Sequence, residues 1–109
     1  MELTPKQIAI LQQAAWEEGA SQVRDQIISR IEDPLIINTY LRYGLDMLED
    51  GRCSIVIFTY RLKFNATFSL DEGPIKPLIN QLEKLQKSDF YSWVYEDEVE
   101  AWLKFLKSL

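Results

Sequence analysis

The side chains that could do chemistry here are carboxylates, hydroxyls, amines and one thiol, Cys53; histidine is absent. Histidine is the usual general base at neutral pH and the commonest metal ligand, so the serine and threonine hydroxyls lack their ordinary activator. No Ser-x-x-Lys or Gly-x-Ser-x-Gly spacing occurs. The four glycines, Gly19, Gly44, Gly51 and Gly73, stand singly, which leaves no glycine-rich loop to cradle a phosphate. A single cysteine forms no intramolecular disulfide and no multi-cysteine zinc site. At the head of an apolar run, Cys53 reads as a small core residue rather than a nucleophile. The acidic pairs lie in polar capping or loop segments, where nothing raises a carboxyl pKa toward acid–base work. Asp46, Glu49 and Asp50 would share one side of a helix and offer oxygen ligands to a hard cation. The loop that follows lacks the Asp-x-Asp-x-Asp-Gly order of a calcium hand. The expectation is a protein that is not an enzyme, with no catalytic residues, no metal and no cofactor.

Charge offers more. The 109 residues carry 17 acidic against 12 basic side chains, a formal charge of -5, and 47% are apolar. That length and composition predict a single compact domain over 1–109 with one modest core. Part of the negative charge has a local cause. Glu96, Asp97, Glu98 and Glu100 open a C-terminal helix, where acids suit the helix dipole. Glu17 and Glu18 fall at the expected end of a first helix, and Asp46, Glu49 and Asp50 at the expected end of a third. There the dipole disfavours negative charge by about 0.3–1 kcal/mol each. Arg42 offsets Asp46 at four residues' spacing, and only Arg52 stands near Glu49 and Asp50. The reading is an acidic surface that steers a basic protein partner. Trp16, which falls off the stripe of its helix, joins Tyr40 and Tyr43 as the aromatic anchors of that surface.

The elements that must position these residues follow from period and punctuation. Thr4-Pro5-Lys6-Gln7 is a helix start with a capping box, and the stripe Ile8, Leu11 and Ala15 predicts a helix that stops at Gly19. Ser21 caps a second helix that buries Val23, Ile27 and Ile31. Asp33-Pro34 starts a third, which runs to about Glu49. On that third helix Ile36, Tyr40, Tyr43 and Met47 form one stripe, and Ile37, Leu41, Leu45 and Leu48 a second. One stripe suffices for docking on a core, so either this is a central helix covered on two sides, or the tyrosine stripe serves a partner or a homodimer. Beyond Asp50-Gly51 the period changes to two. Cys53–Phe58 is one strand, and from Tyr60 to Leu70 the apolar and polar residues alternate. The run is either one long curved strand or a hairpin whose loop has an odd count near Asn65; two strands fit better. A helix with Ile75, Leu78, Ile79, Leu82 and Leu85 on one face follows. Phe90–Tyr95 is either a short third strand or helix, and the last helix buries Val99, Trp102, Leu103 and Leu106. The fold class is α+β: three N-terminal helices, a two- or three-stranded antiparallel sheet, and two C-terminal helices.

Leu3-Thr-Pro-Lys-Gln-Ile-Ala-Ile-Leu11 resembles the opening of a helix in winged-helix regulators of the MarR type. The order of helices followed by a hairpin at 53–70 is similar to that family's wing arrangement. The resemblance implies a recognition helix at 34–49 and a dimeric DNA-binding regulator, yet that helix has one basic residue, Arg42. Arg52, Arg61 and Lys63 lie on 52–70 without an acid among them, but the net charge disfavours nucleic acid. The leading expectation is a small inhibitor, immunity-type or adaptor domain that binds a basic protein, with the regulator as alternative. The N-terminus has no basic leader followed by an apolar run, so a cytoplasmic location is expected, with no membrane contact.

Overall fold

The computed structural model describes residues 2–37, 42–88 and 95–109. They form helix α1 (Pro5–Gln26), a 3₁₀ turn (Ile28–Arg30) and a four-residue helix α2 (Pro34–Ile37). Strands β1 (Arg42–Met47), β2 (Cys53–Phe58) and β3 (Lys63–Phe68) follow, then helices α3 (Ile75–Gln86) and α4 (Glu96–Lys107). The architecture is α+β with a three-stranded antiparallel sheet in the order β1-β2-β3. No helix among the described residues is long and apolar enough to cross a membrane.

The start of α1 is as the sequence predicts. Thr4 Oγ1 accepts from the Gln7 amide at 3.2 Å, and Gln7 Oε1 accepts from the Thr4 amide at 2.9 Å. Its end is not. The two expected helices are one, because Gly19 does not terminate α1 but lets it lie close on the sheet. A Cβ on Gly19 would stand 2.8 Å from Cys53 Sγ and 3.5 Å from Leu45 Cδ2. The glycine is required by close approach rather than by a left-handed turn.

The helix expected over 34–49 is replaced by α2 and β1. Tyr43, Leu45 and Met47 alternate with Arg42, Gly44 and Asp46, a pattern that suits a strand as well as the helical stripe. Gly44 weakens a helix, and a strand here pairs along the whole of β2, Arg42 opposite Phe58 through Met47 opposite Cys53. Asp50-Gly51, expected to end a helix, instead turns this hairpin, with Gly51 at φ +83° and the Leu48 amide bonded to the Arg52 carbonyl. The recognition helix implied by the winged-helix resemblance is therefore not formed. Tyr43 and Met47, expected on a helical stripe for a homodimer, lie on β1 instead.

The second hairpin turns at Tyr60-Arg61, closed by the Thr59 amide on the Leu62 carbonyl at 2.8 Å. Asn65 is not in a loop; it lies on β3 opposite Val56. Tyr60 belongs to the turn, so the alternation on β3 starts at Leu62 and keeps Phe64, Ala66 and Phe68 buried. Helices α3 and α4 stand where the periodicity puts them. The segment 90–95, expected as strand or helix, falls, apart from Tyr95 next to α4, outside the described residues.

One core lies beneath the inner sheet face. Ile55, Ile57, Phe64 and Phe68 meet Val23 and Ile27 from α1 and its end, Leu78 and Leu82 from α3, and Val99, Trp102 and Leu106 from α4. Trp102 packs edge-on against Phe64, with ring centres 5.3 Å apart.

Candidate functional site

Helix α1 is about 33 Å long at 1.5 Å per residue, and only its second half has a sheet to lie on. Gly19, Ala20 and Val23 are buried, whereas no residue from Glu2 to Glu18 is. The first half nonetheless carries large apolar side chains. Leu3 is 50% exposed, Ile8 42%, Ile10 59% and Leu11 56%. Scattered exposed leucines are normal on a protein surface, so the arrangement of these residues matters more than their number.

Between this half of α1 and the β1–β2 hairpin runs a groove of about 290 Å³. Leu3, Ile8 and Leu11 form one wall, Met47 and Leu48 the other, and Ala15 lies between. Glu49 lines it as well, the only charged residue to do so. The hairpin holds its shape through Asp50, whose carboxylate binds the Arg52 side chain at 2.7 Å and the Arg52 amide at 3.2 Å. These bonds hold the Asp50 carboxyl below the usual carboxylate range. Both side chains are half exposed, so the pair fixes the turn more than it stabilises the fold.

Next to Ala15 of the groove, Trp16 ties α1 to β1. Its indole N–H donates to the Leu45 carbonyl at 2.9 Å, with the ring 38% exposed. The Leu48–Arg52 bond puts the even-numbered residues of β1 in bonding register with β2. The carbonyl of Leu45 thus points to the free edge, and Trp16 covers it. An open strand edge invites pairing with another chain, and this contact blocks the middle of it.

The acids are not where the helix-end argument requires them. Glu17 and Glu18 lie inside α1, nine and eight residues from its last residue, Gln26, so the dipole at that end does not bear on them. Asp46 is exposed on the outer face of β1, and Glu49 and Asp50 are in the hairpin turn. The helix that would have gathered Asp46, Glu49 and Asp50 around a cation does not exist. Among the described residues no three acidic or cysteine side chains are grouped to hold a metal. The Trp16–Leu45 bond does bring the turn of α1 that bears Glu17 and Glu18 alongside β1, the strand of Asp46. Tyr43 is half-buried against the core, which withdraws it as a surface anchor. Tyr40 lies outside the described residues.

Two features were missed. Glu98, read as a helix-start acid, is buried at 3% exposure, and its Oε1 accepts from the Arg61 amide at 3.3 Å. The Thr59 hydroxyl stands 3.0 Å from the same oxygen and 3.3 Å from the Leu62 carbonyl, and donates to one at a time. The carboxylate thus pins the β2–β3 turn; the signal was Val99 beside it, which fixes which side of α4 faces inward. The second is the groove itself. Its signal was the run Leu3–Trp16, which carries one charge, Lys6, and more apolar residues than one docked stripe uses.

The other surfaces are less suggestive. A depression of about 510 Å³ between β3 and α3 is polar, with Glu72 and Glu83 balanced by Lys84 and Lys87. The cations of 52–70 are committed to neighbours: Arg52 to Asp50, Lys63 over the Phe58 ring at 5.4 Å, and Arg61 over the Tyr60 ring at 5.3 Å. Cys53 is fully buried, and burial pushes its thiol pKa up, away from nucleophilic use. Comparison with protein-family models, curated proteins and solved structures finds no match to this chain.

Proposed function

We propose that this protein is a small protein-binding domain whose docking site is the groove between the first half of α1 and the β1–β2 hairpin. The observation that carries this reading is the groove's composition. Five large apolar side chains face an open cleft, whereas the same helix buries its smaller residues further on. The occupant that fits is an amphipathic helical segment, with anchors three and four residues apart to reach both walls. Glu49 at the groove, with Asp46 on the neighbouring strand and Glu17 and Glu18 further along α1, favours a segment flanked by basic residues. The acids contribute speed and orientation of encounter, and the apolar walls contribute most of the affinity. An inhibitor or adaptor role needs no more than such a surface.

A synthetic amphipathic helix of leucine and lysine tests this, titrated against the labelled chain by NMR at low protein concentration. The expected shifts centre on Leu11, Met47, Leu48 and Glu49. Glu49→Lys should weaken binding several-fold at low salt and much less at high salt. Shifts centred on another face, or none at millimolar peptide, would overturn the reading.

A further inference from the structure

We infer that the groove's occupant in the isolated protein is the first half of α1 from a second copy of the chain, packed antiparallel in a two-fold dimer. This rests on the groove being a docking site, as proposed above, and adds what fills it. Thr4, Ile8, Leu11 and Ala15 are spaced four, three and four apart, so they form one straight stripe along α1. In order of size they read small, large, large, small, which is the same in both directions. A two-fold axis crossing α1 between Ala9 and Ile10 therefore sets Ile8 against the second copy's Leu11, and Thr4 against its Ala15. Each bulky residue meets a bulky one, and the small residues at both ends let the backbones approach.

Three further facts favour a second copy. From Leu3 to Trp16 the only charge is Lys6, and on the helical wheel it falls opposite the stripe. The flanking Gln7, Gln12 and Ala14 are neutral, so identical chains meet no like charge across the contact. Moreover, no residue from Glu2 to Glu18 is buried, so α1 offers this stripe clear of its own core. The symmetric fit also works twice, because each copy's helix enters the other's groove and covers Met47 and Leu48 there. The contact spans about 18 Å of helix on each side plus the hairpin, at the small end of specific interfaces. The dimer is correspondingly transient, with Kd on the order of 10 µM. An amphipathic partner that takes the groove must displace it, so self-association and partner binding compete.

Sedimentation velocity of the whole chain between 2 and 500 µM, concentrations chosen to bracket about 10 µM, tests the inference. The expected mass rises from 12.8 kDa toward twice that value. It should change little between low and high salt, because the charge that lines the groove, Glu49, meets the uncharged stretch 7–16 of the second copy. Leu11→Asp should hold the chain monomeric across the range, with unchanged circular dichroism because Leu11 is exposed. Ile10→Asp, on the far side of the helix, should leave the dimer intact. A chain that stays monomeric, or an Ile10→Asp variant as disruptive as Leu11→Asp, overturns the inference. If the chain is monomeric but the leucine–lysine helix still binds the groove, the docking reading survives alone. If the helix misses the groove as well, both fall.

Discussion

The two halves of α1 are continuous in backbone, yet only the second is buried against the core. From Gly19 onward the helix presents small or branched residues, Gly19, Ala20 and Val23, that sink into the sheet and the helices beyond it. From Pro5 to Trp16 it presents larger ones, Ile8, Ile10 and Leu11, that remain exposed. The difference teaches that the burial of a helix stripe depends on what lies beneath it, not on the stripe. Close packing needs the glycine; the projecting half needs no such accommodation, and its bulk suits contact with another chain.

The comparison can be broken most severely at the end of the buried half. Ile27→Ala empties part of the core where α1 ends, and should cost about 2–5 kcal/mol in chemical denaturation. A loss below about 1 kcal/mol would mean that this end is not core. Gly19→Ala is the next largest. A better helix former should still destabilise by about 1–3 kcal/mol, because the new methyl strikes Cys53 Sγ. Cys53→Ala should recover part of that cost in a double-mutant cycle; additive effects would show that the contact is not the cause. Trp16→Phe, at the junction, keeps the ring and deletes the bond to Leu45, with an expected loss of about 0.5–1.5 kcal/mol. The smallest change is expected from Ile8→Gln in dilute monomer, within about 0.5 kcal/mol of the parent. Hydrogen exchange sharpens the contrast without a mutation: amides of 9–16 should exchange faster than those of 20–26. Protection of 9–16 that grows with protein concentration would follow from the antiparallel dimer.

A pH effect isolates Cys53 beneath the same helix. Its folded pKa lies above the ordinary thiol value of 9.0 because burial disfavours the thiolate. Its contribution to stability is therefore whole below pH 9.0 and is lost as pH rises through the folded value. Reaction with a thiol reagent near neutral pH should be slow in the native chain and rapid in denaturant. Fast native labelling would place Cys53 at the surface.

Local signals were legible where they were self-contained. The Thr4/Gln7 box, the faces of α3 and α4, and the inward Phe64/Ala66/Phe68 set follow from spacing alone, since capping and periodicity involve near neighbours. Errors arose where one pattern served two structures. Residues 43–48 alternate and also fit a helical stripe, and pairing along β2 decides between them. Asp50-Gly51 suits a helix end and a hairpin turn equally, and the strand on each side settles which. Of the candidate site, Trp16 and Glu49 were legible as residues. Their relation was not, because Trp16 meets Leu45 across 29 positions of sequence.

The sequence by itself determined the absence of histidine, the acidic balance, the class of fold and the helix start at Pro5, all properties of residues or their near neighbours. Only the tertiary structure decided that Gly19 is a point of close approach and that 42–47 is a strand. It also decided that Glu98 is a buried clamp and that Leu3, Ile8 and Leu11 face Met47 and Leu48 across an open groove. These depend on which surfaces meet. That is settled by the whole core closing at once, with whatever apolar surface it leaves uncovered available to another chain.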